Sequence, residues 1–339
     1  MPTETVWLEE RKTGITATDI AAIAGLHWRK TPLHVYLDKI GEAEPVAVND
    51  AMRMGQLLEP AIGLRYSEIT GNQVVDAEPF TLSRHISQPR HLATPDAHAY
   101  TEVLPAVNGD KPLADPASRI LLEKKAPGFR TLSRWGETGT QVLPEEYLIQ
   151  CQWQMHVEDL NRCDLAALIG GQEMRVYTIE ADPELQDMLV SRANDFWTNH
   201  VEKQVPPPID DTKDYEAHLR HRYPVSLEAV VTTDDDLEQA GLAYMAAQSQ
   251  LKQVERELQY HRNQLISALG ESDQLVGDQF SVTYRTSKAR KLTDWKNVVV
   301  ELLNDGIIDE ETASIYVDNA VQLKPGTRRF LFQEVKTNA

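Results

Sequence analysis

ILLEKKAP, residues 120–127, is an apolar run that ends in an acid and two lysines ahead of a proline. Side chains alternate between the two faces of a strand, so Glu123 and Lys125 share one face while Ile120, Leu122 and Lys124 share the other. The stretch therefore predicts a strand with an apolar body and a polar carboxyl-terminal end, closed by Pro127. An acid and a lysine side by side at such an end suit a divalent cation. Glu123 can ligate it, the backbone carbonyl of Lys124 can add a ligand, and Lys125 can position or deprotonate an attacking water. Taken alone, the triplet reads first as a surface ion pair at a strand end.

Its surroundings add two further acids. In HLATPDAHAY (residues 91–100), Asp96 follows Pro95 at the start of a strand expected to pair with that of Glu123, although Pro-Asp is also ordinary turn chemistry. In MRMGQLLEP (residues 52–60), Glu59 lies on a predicted helix with Gly55 one turn earlier, which leaves room for a ligand or another backbone to approach. Glu59 by itself reads as a solvated helix residue. Three carboxylates converging without a cation would repel one another strongly, so the set makes sense mainly as a metal site.

Outward from this centre the pattern is mixed α/β. TATDIAAIAGL starts with small capping residues and ends at Gly25, TPLHVYLDKIG has Thr31 as cap, Pro32 at the first helical position and Gly41 as stop, and a longer helix is capped by Asn49 or Asp50 and closed by Gly71, with Pro60 able to kink it. Strand-like segments follow. A helix then opens at Pro144 with Glu145 and Glu146 in its first turn, where the helix dipole favours acids. Two further strands and a closing helix lead to three consecutive prolines, Pro206 to Pro208. The predicted organisation is a domain over residues 1–205, a linker over 206–232 and an extension over 233–339. In the extension Leu237, Tyr244, Leu251, Leu258 and Leu265 recur every seven residues, a coiled-coil-like seam that should be buried against something. A hairpin, the basic patch KARKLTDWK, another helix and a final strand RRFLFQEV complete the tail.

Composition bounds the function. No apolar run approaches the ~18 residues of a membrane span, and the acidic start MPTETVWLEERK does not read as a signal peptide, so a cytoplasmic protein is expected. Cys151 and Cys163 are too few for a disulfide framework or a four-thiolate metal site, and the pair His218 and His221 has no further ligand nearby in sequence. The net charge of −18 opposes nonspecific DNA binding, which draws on lysines and arginines that neutralise phosphates. A DNA-binding role thus requires a local basic lining or bound cations.

In order, RKTGITATDIAAIAGL, TPLHVYLDKIG, MRMGQLLEP, ATPD, LLEKKAP and YLIQCQWQM resemble the YqaJ-type recombinase family, which includes the phage lambda exonuclease, within the PD-(D/E)XK nuclease superfamily. The resemblance covers residues 11 to about 170. It implies an α/β fold with a restriction-endonuclease-like core, a central mixed sheet flanked by helices. It also implies one or two Mg²⁺ ions (or Mn²⁺) held by Asp96, Glu123 and the Lys124 carbonyl, with Glu59 supporting the second ion or its waters. Lys125 becomes the catalytic lysine and Gln150 the glutamine of the Q-x-Q helix. Tyr147, Gln150 and Gln154 share a helix face, whereas Gln152 points elsewhere. Arg11, Thr16 and Thr18 stand where the family binds a terminal 5′ phosphate, at the amino end of a capped helix.

The implied activity is 5′-to-3′ exonuclease action on linear double-stranded DNA, leaving 3′ overhangs for a single-strand annealing partner. A homotrimer or other homo-oligomer is a further expectation. The alternatives are an endonuclease on the same fold and a catalytically silent DNA-end binding factor. The sequence departs from the family in two ways: 26 residues separate Asp96 from Glu123, longer than a short hairpin, and the tail after 206 lies outside the minimal nuclease.

Overall fold

A computed structural model describes residues 3–43, 49–104, 113–226, 230–286 and 295–320. The chain divides into two units, Met1–Tyr215 and Glu216–Ala339.

The first unit begins with four helices, α1 (Glu4–Arg11), α2 (Ala17–Ile23), α3 (Pro32–Ile40) and α4 (Asp50–Thr70). Their ends follow the capping chemistry of the sequence. Thr16 and Asp19 form a reciprocal capping box, Asn49 accepts from the Met52 N–H, and Gly41 and Gly71 take the left-handed conformation that ends α3 and α4. Helix α4 runs on through Pro60, so the proline removes one hydrogen bond without ending the helix.

Strands β1 (Gln73–Asp76), β2 (Ser83–Arg84), β3 (Leu92–Ala93), β4 (Ala97–Tyr100), β5 (Val103–Leu104), β6 (Leu113–Ala114) and β7 (Arg119–Lys125) come next. Helix α5 (Glu145–Glu158), strands β8 (Arg162–Ile169) and β9 (Glu173–Glu180) and helix α6 (Pro183–Phe196) complete the layers. The main sheet has the order β1-β4-β7-β8-β9; β7 and β8 are parallel, and every other neighbouring pair is antiparallel. This is the mixed sheet flanked by helices that the restriction-endonuclease-like expectation describes.

The single parallel pair requires a crossover, and α5 supplies it. Helix α4 covers one face of the sheet, where Ile62 and Tyr66 meet Ala97, Ala99, Ile120 and Leu122. Helix α5 lies on the other face, where Cys151 and Met155 meet Leu121, Cys163 and Leu165, and its far side packs through Ile149, Trp153 and Val157 on α2, α3 and α6. Burial on both sides explains the weak amphipathicity of α5. Trp153 is fully buried with its indole N–H on the Leu92 carbonyl at 3.0 Å. Asp164, in the middle of β8, is also buried, but its carboxylate accepts from the Tyr66 hydroxyl at 2.6 Å, the Thr178 hydroxyl at 2.9 Å and the Arg162 guanidinium at 3.1 Å, so the buried charge is fully partnered.

The triple-proline segment is partly built into this unit. Pro207 is buried, and Tyr215, at the start of α7 (Lys213–Arg222), packs in the helical core and donates its hydroxyl to the Pro207 carbonyl at 3.0 Å.

In the second unit α8 (Asp235–Leu269) is capped by Asp234, and β10 (Gln274–Val276) and β11 (Ser281–Thr283) form the expected hairpin. Helices α9 (Trp295–Asn304) and α10 (Glu310–Ala320) follow. Leu237, Tyr244, Leu251 and Leu258 are exposed and Leu265 is half-buried, so among the described residues most of the heptad stripe is uncovered. A heptad period marks a face that wants a partner without locating that partner. The strand RRFLFQEV and nearly all of the basic patch KARKLTDWK lie outside the described residues.

Candidate active site

The carboxyl-terminal end of β7 lies where α4 and α5 approach from opposite faces. As alternation requires, Leu121 packs on the α5 side and Ile120 and Leu122 on the α4 side. Glu123, 3% exposed, thus points toward α5 with Lys125, whose ammonium donates to Glu123 Oε1. Lys124 points the other way, to Asp76 Oδ1 at 2.8 Å, while its backbone N–H donates to Asp96 Oδ2 at 2.8 Å. Antiparallel pairing of Ala97 with Leu122 is what brings Asp96 to this position. The long connection between β4 and β7 does not displace it.

The charges at this end do not cancel. Burial and the nearby Glu123 push the Asp96 carboxyl up to about 7, against the opposing pull of Lys125 and the Lys124 N–H. Glu59 is raised as well, by burial and by Glu123 and Asp76, while Lys124 and Lys125 lower it. Burial works against the Lys125 ammonium, yet Glu123 and Asp96 outweigh it and hold the lysine above its usual range. Lys125 is therefore a cation wherever those carboxylates are ionised. Among the described residues no group of three His, Cys, Asp or Glu side chains is placed to hold a metal ion by itself. A buried and a half-buried carboxylate that repel each other beside a strand-end carbonyl are nevertheless a hard-oxygen donor set of the kind that suits Mg²⁺ or Mn²⁺, whose remaining positions are filled by water or phosphate.

Helix α5 presents one face to this centre. The Lys125 ammonium lies 5.4 Å from the centre of the Tyr147 ring, Gln154 Nε2 donates to Glu123 Oε2 at 3.0 Å, and Gln150 Nε2 reaches Thr18 Oγ1 at 3.5 Å. Of the two glutamines, Gln154 is thus the one bonded to Glu123, while Gln150 joins α5 to α2. The shared face of residues 147, 150 and 154 was visible as helical spacing; their individual partners were not. Gln152 sits on another side, donating to the Glu180 carbonyl at 2.8 Å and accepting from the Asp182 N–H at 2.9 Å.

The amino-terminal motif is tied to the same centre. Ile15 N–H donates to the Arg90 carbonyl at 2.7 Å and Leu92 N–H to the Ile15 carbonyl at 2.9 Å. Arg11 donates to the Thr94 hydroxyl at 3.2 Å, two residues before Asp96, and its guanidinium lies 4.6 Å from the Trp7 ring centre. The Thr16 hydroxyl is buried and engaged with Asp19 at 2.8 Å, whereas Thr18 is half-buried. Sequence reading passed over Asp19. Its buried carboxylate takes Lys30 at 2.6 Å and Lys39 at 2.7 Å, and although burial opposes ionisation, these cations and Arg11 hold it well below the usual carboxylate range. The capping pattern pointed to Thr16 at this helix start, but nothing local disclosed Asp19 or its two lysines.

Residues 6–161 match the YqaJ-like viral recombinase domain. Every residue placed above at the strand end, on the inner face of α5 and in the amino-terminal motif falls inside this YqaJ-like segment. Strands β8 and β9, which complete the sheet, lie beyond it. Over 338 residues the chain is 25% identical to the Bacillus subtilis protein YqaJ, covering 97% of this chain and 94% of that protein. It is also 27% identical over 161 residues to protein R354 of Acanthamoeba polyphaga mimivirus, covering 47% of this chain and 27% of that one. Similar solved structures include the alkaline exonuclease LHK-Exo of Laribacter hongkongensis, at 20% identity and a TM-score of 0.43, covering 65% of this chain and 99% of that chain. Another is a phage-related exonuclease of Haemophilus somnus 129PT, at 11% identity and a TM-score of 0.40, covering 56% of this chain and 96% of that chain. Among the described residues no helix is long and apolar enough to cross a membrane.

Proposed function

We propose that the protein is a divalent-metal-dependent exonuclease that degrades one strand of linear double-stranded DNA from its 5′ end. The observation that carries this reading is the meeting of Asp96, Glu123 and Lys125 at one strand end, with the Asp96 carboxyl raised to about 7 by burial and by its neighbour. Asp96, Glu123 and the Lys124 carbonyl would hold the ion, with Glu59 at its margin. Bound there, Mg²⁺ or Mn²⁺ would neutralise phosphate charge and acidify a water. The chain's own groups do the rest. Lys125 donates to a phosphate oxygen or orients the attacking water, Gln154 fixes the Glu123 carboxylate, and Gln150 and Thr18 line the path of the strand. Arg11 offers a guanidinium to a terminal 5′ phosphate. A 3′ overhang would be left for a single-strand annealing partner.

The test uses linear duplexes with 5′-phosphate or 5′-hydroxyl ends and covalently closed circles, each with Mg²⁺ or with chelator. Nucleotide release from linear DNA only, dependent on metal and faster with 5′ phosphate, is expected. Replacing Lys125 by Met, or Glu123 by Gln, should lower that rate by about 10²–10⁴-fold with the fold intact. Cutting of circles would make it an endonuclease, binding without turnover would make it an end-binding factor, and full activity in either variant would refute the site.

A further inference from the structure

We propose that Arg134 binds a backbone phosphate of the DNA strand next to the one that meets Lys125. This inference rests on the nuclease reading and adds a substrate contact to that site. The short 3₁₀ segment Phe129–Arg134 follows β7 directly, and Arg134 ends it. Among the described residues its guanidinium makes one hydrogen bond, Nη2 to Glu146 Oε2 at 2.6 Å, with the arginine side chain 46% exposed and the glutamate 2%. Such pairs are commonly bidentate, with two parallel N–H···O bonds. This one is incomplete on both sides. Glu146 Oε1 is buried without a hydrogen-bond partner, and Arg134 has no other partner among the described residues.

Position gives the free donors a direction. Glu146 stands in the first turn of α5, the helix end that the β7–α5 crossover places beside the carboxyl-terminal end of β7. Ligands of open α/β sheets collect outside that edge. Tyr147 follows Glu146, its ring 5.4 Å from the Lys125 ammonium on one side and stacked 5.5 Å from the Trp135 ring on another. Burial raises the pKa of Tyr147, while the charges of Lys125 and Arg134 lower it. A half-exposed guanidinium anchored on Glu146, the residue before Tyr147, matches what a phosphate beside the reaction centre needs, and Arg is suited to phosphate by its planar fork. It also supplies part of the local positive lining that a chain of net charge −18 must have to approach DNA.

The experiment measures DNA affinity by fluorescence anisotropy on a labelled duplex with a 5′ phosphate, in chelator so that nothing is cut, over a range of salt. Wild type is compared with Arg134→Ala, Arg134→Lys and a control, Arg192→Ala, which removes an exposed arginine from α6. Circular dichroism confirms that each variant folds. Arg134→Ala should weaken binding about tenfold, as expected for one charge-assisted contact. It should also reduce the slope of log K against log salt by about 0.9, one phosphate's worth. Arg134→Lys should keep the slope and lose only part of the affinity, and Arg192→Ala should change neither. An unchanged slope in folded Arg134→Ala, or an equal change in the control, overturns the inference. If wild-type protein binds no DNA at all, the nuclease reading falls with it.

Discussion

Replacing Asp96 by asparagine is expected to stabilise the metal-free protein at alkaline pH while removing its activity. The Asp96 carboxyl is raised from 3.8 to about 7 by burial and by Glu123. The folded state therefore holds this proton more tightly than the unfolded chain does. Its stability is intact below the unfolded value of 3.8 and falls as pH rises toward about 7. At ~1.4 kcal/mol per pKa unit, the full displacement corresponds to about 4 kcal/mol, and because Glu123 shares the repulsion, about 2–4 kcal/mol is expected above pH 8. Asparagine removes the charge and keeps an oxygen to accept from the Lys124 N–H, now 2.8 Å from Asp96 Oδ2. Urea unfolding in chelator, at about pH 4.5 and about pH 8.5, measures the difference. Tryptophan fluorescence is a suitable probe because Trp7, Trp28, Trp135, Trp153 and Trp197 all lie in the first unit, leaving only Trp295 outside it. The variant should gain on wild type as pH rises, and Mg²⁺ should stabilise wild type more than the variant. A stability gap that is constant or narrows with rising pH would refute the reasoning.

Two further outcomes follow from the frame around the site. A Cβ on Gly14 would lie 2.1 Å from the Arg90 carbonyl oxygen, which already accepts from the Ile15 N–H, so Gly14→Ala should cost about 1–3 kcal/mol of stability and loosen the Arg11 segment. An unshifted unfolding midpoint would contradict this. His156, whose Nε2 is 3.0 Å from His91 Nδ1, is lowered to about 4 by burial and by His91 and His85. Its contribution is full above 6.5 and is lost as pH falls toward 4. After allowing for partial exposure this amounts to about 2 kcal/mol. His156→Gln should therefore flatten the acid limb of the stability profile, and an equally steep limb would show that another group carries it.

The local grammar of the chain was legible residue by residue. Thr16, Thr31, Asn49, Gly41 and Gly71 place helix ends because capping depends on neighbours a few positions away. Alternation alone put Glu123 and Lys125 on one face of β7 and Lys124 on the other, and the structure has the ammonium of Lys125 on Glu123 and that of Lys124 on Asp76. Helical spacing likewise grouped Tyr147, Gln150 and Gln154. The mixed α/β class was within reach because strand and helix periods differ, and the pairing of the Asp96 strand with that of Glu123 was expected from the sequence.

Which partner each side chain meets was decided only by the fold. Gln154 rather than Gln150 bonds Glu123, and Asp19 collects Lys30 and Lys39 from separate segments. Arg134 meets a glutamate 12 positions away across the β7–α5 crossover. The same holds for the seam of α8, whose period is plain in the sequence and most of whose apolar stripe is exposed among the described residues. Periodicity fixes the face a residue occupies, because it is a property of one element's backbone. Contact, burial and the resulting shift of the Asp96 carboxyl arise when distant elements close on one another, and that closure is set by the packing of the whole sheet and its helices.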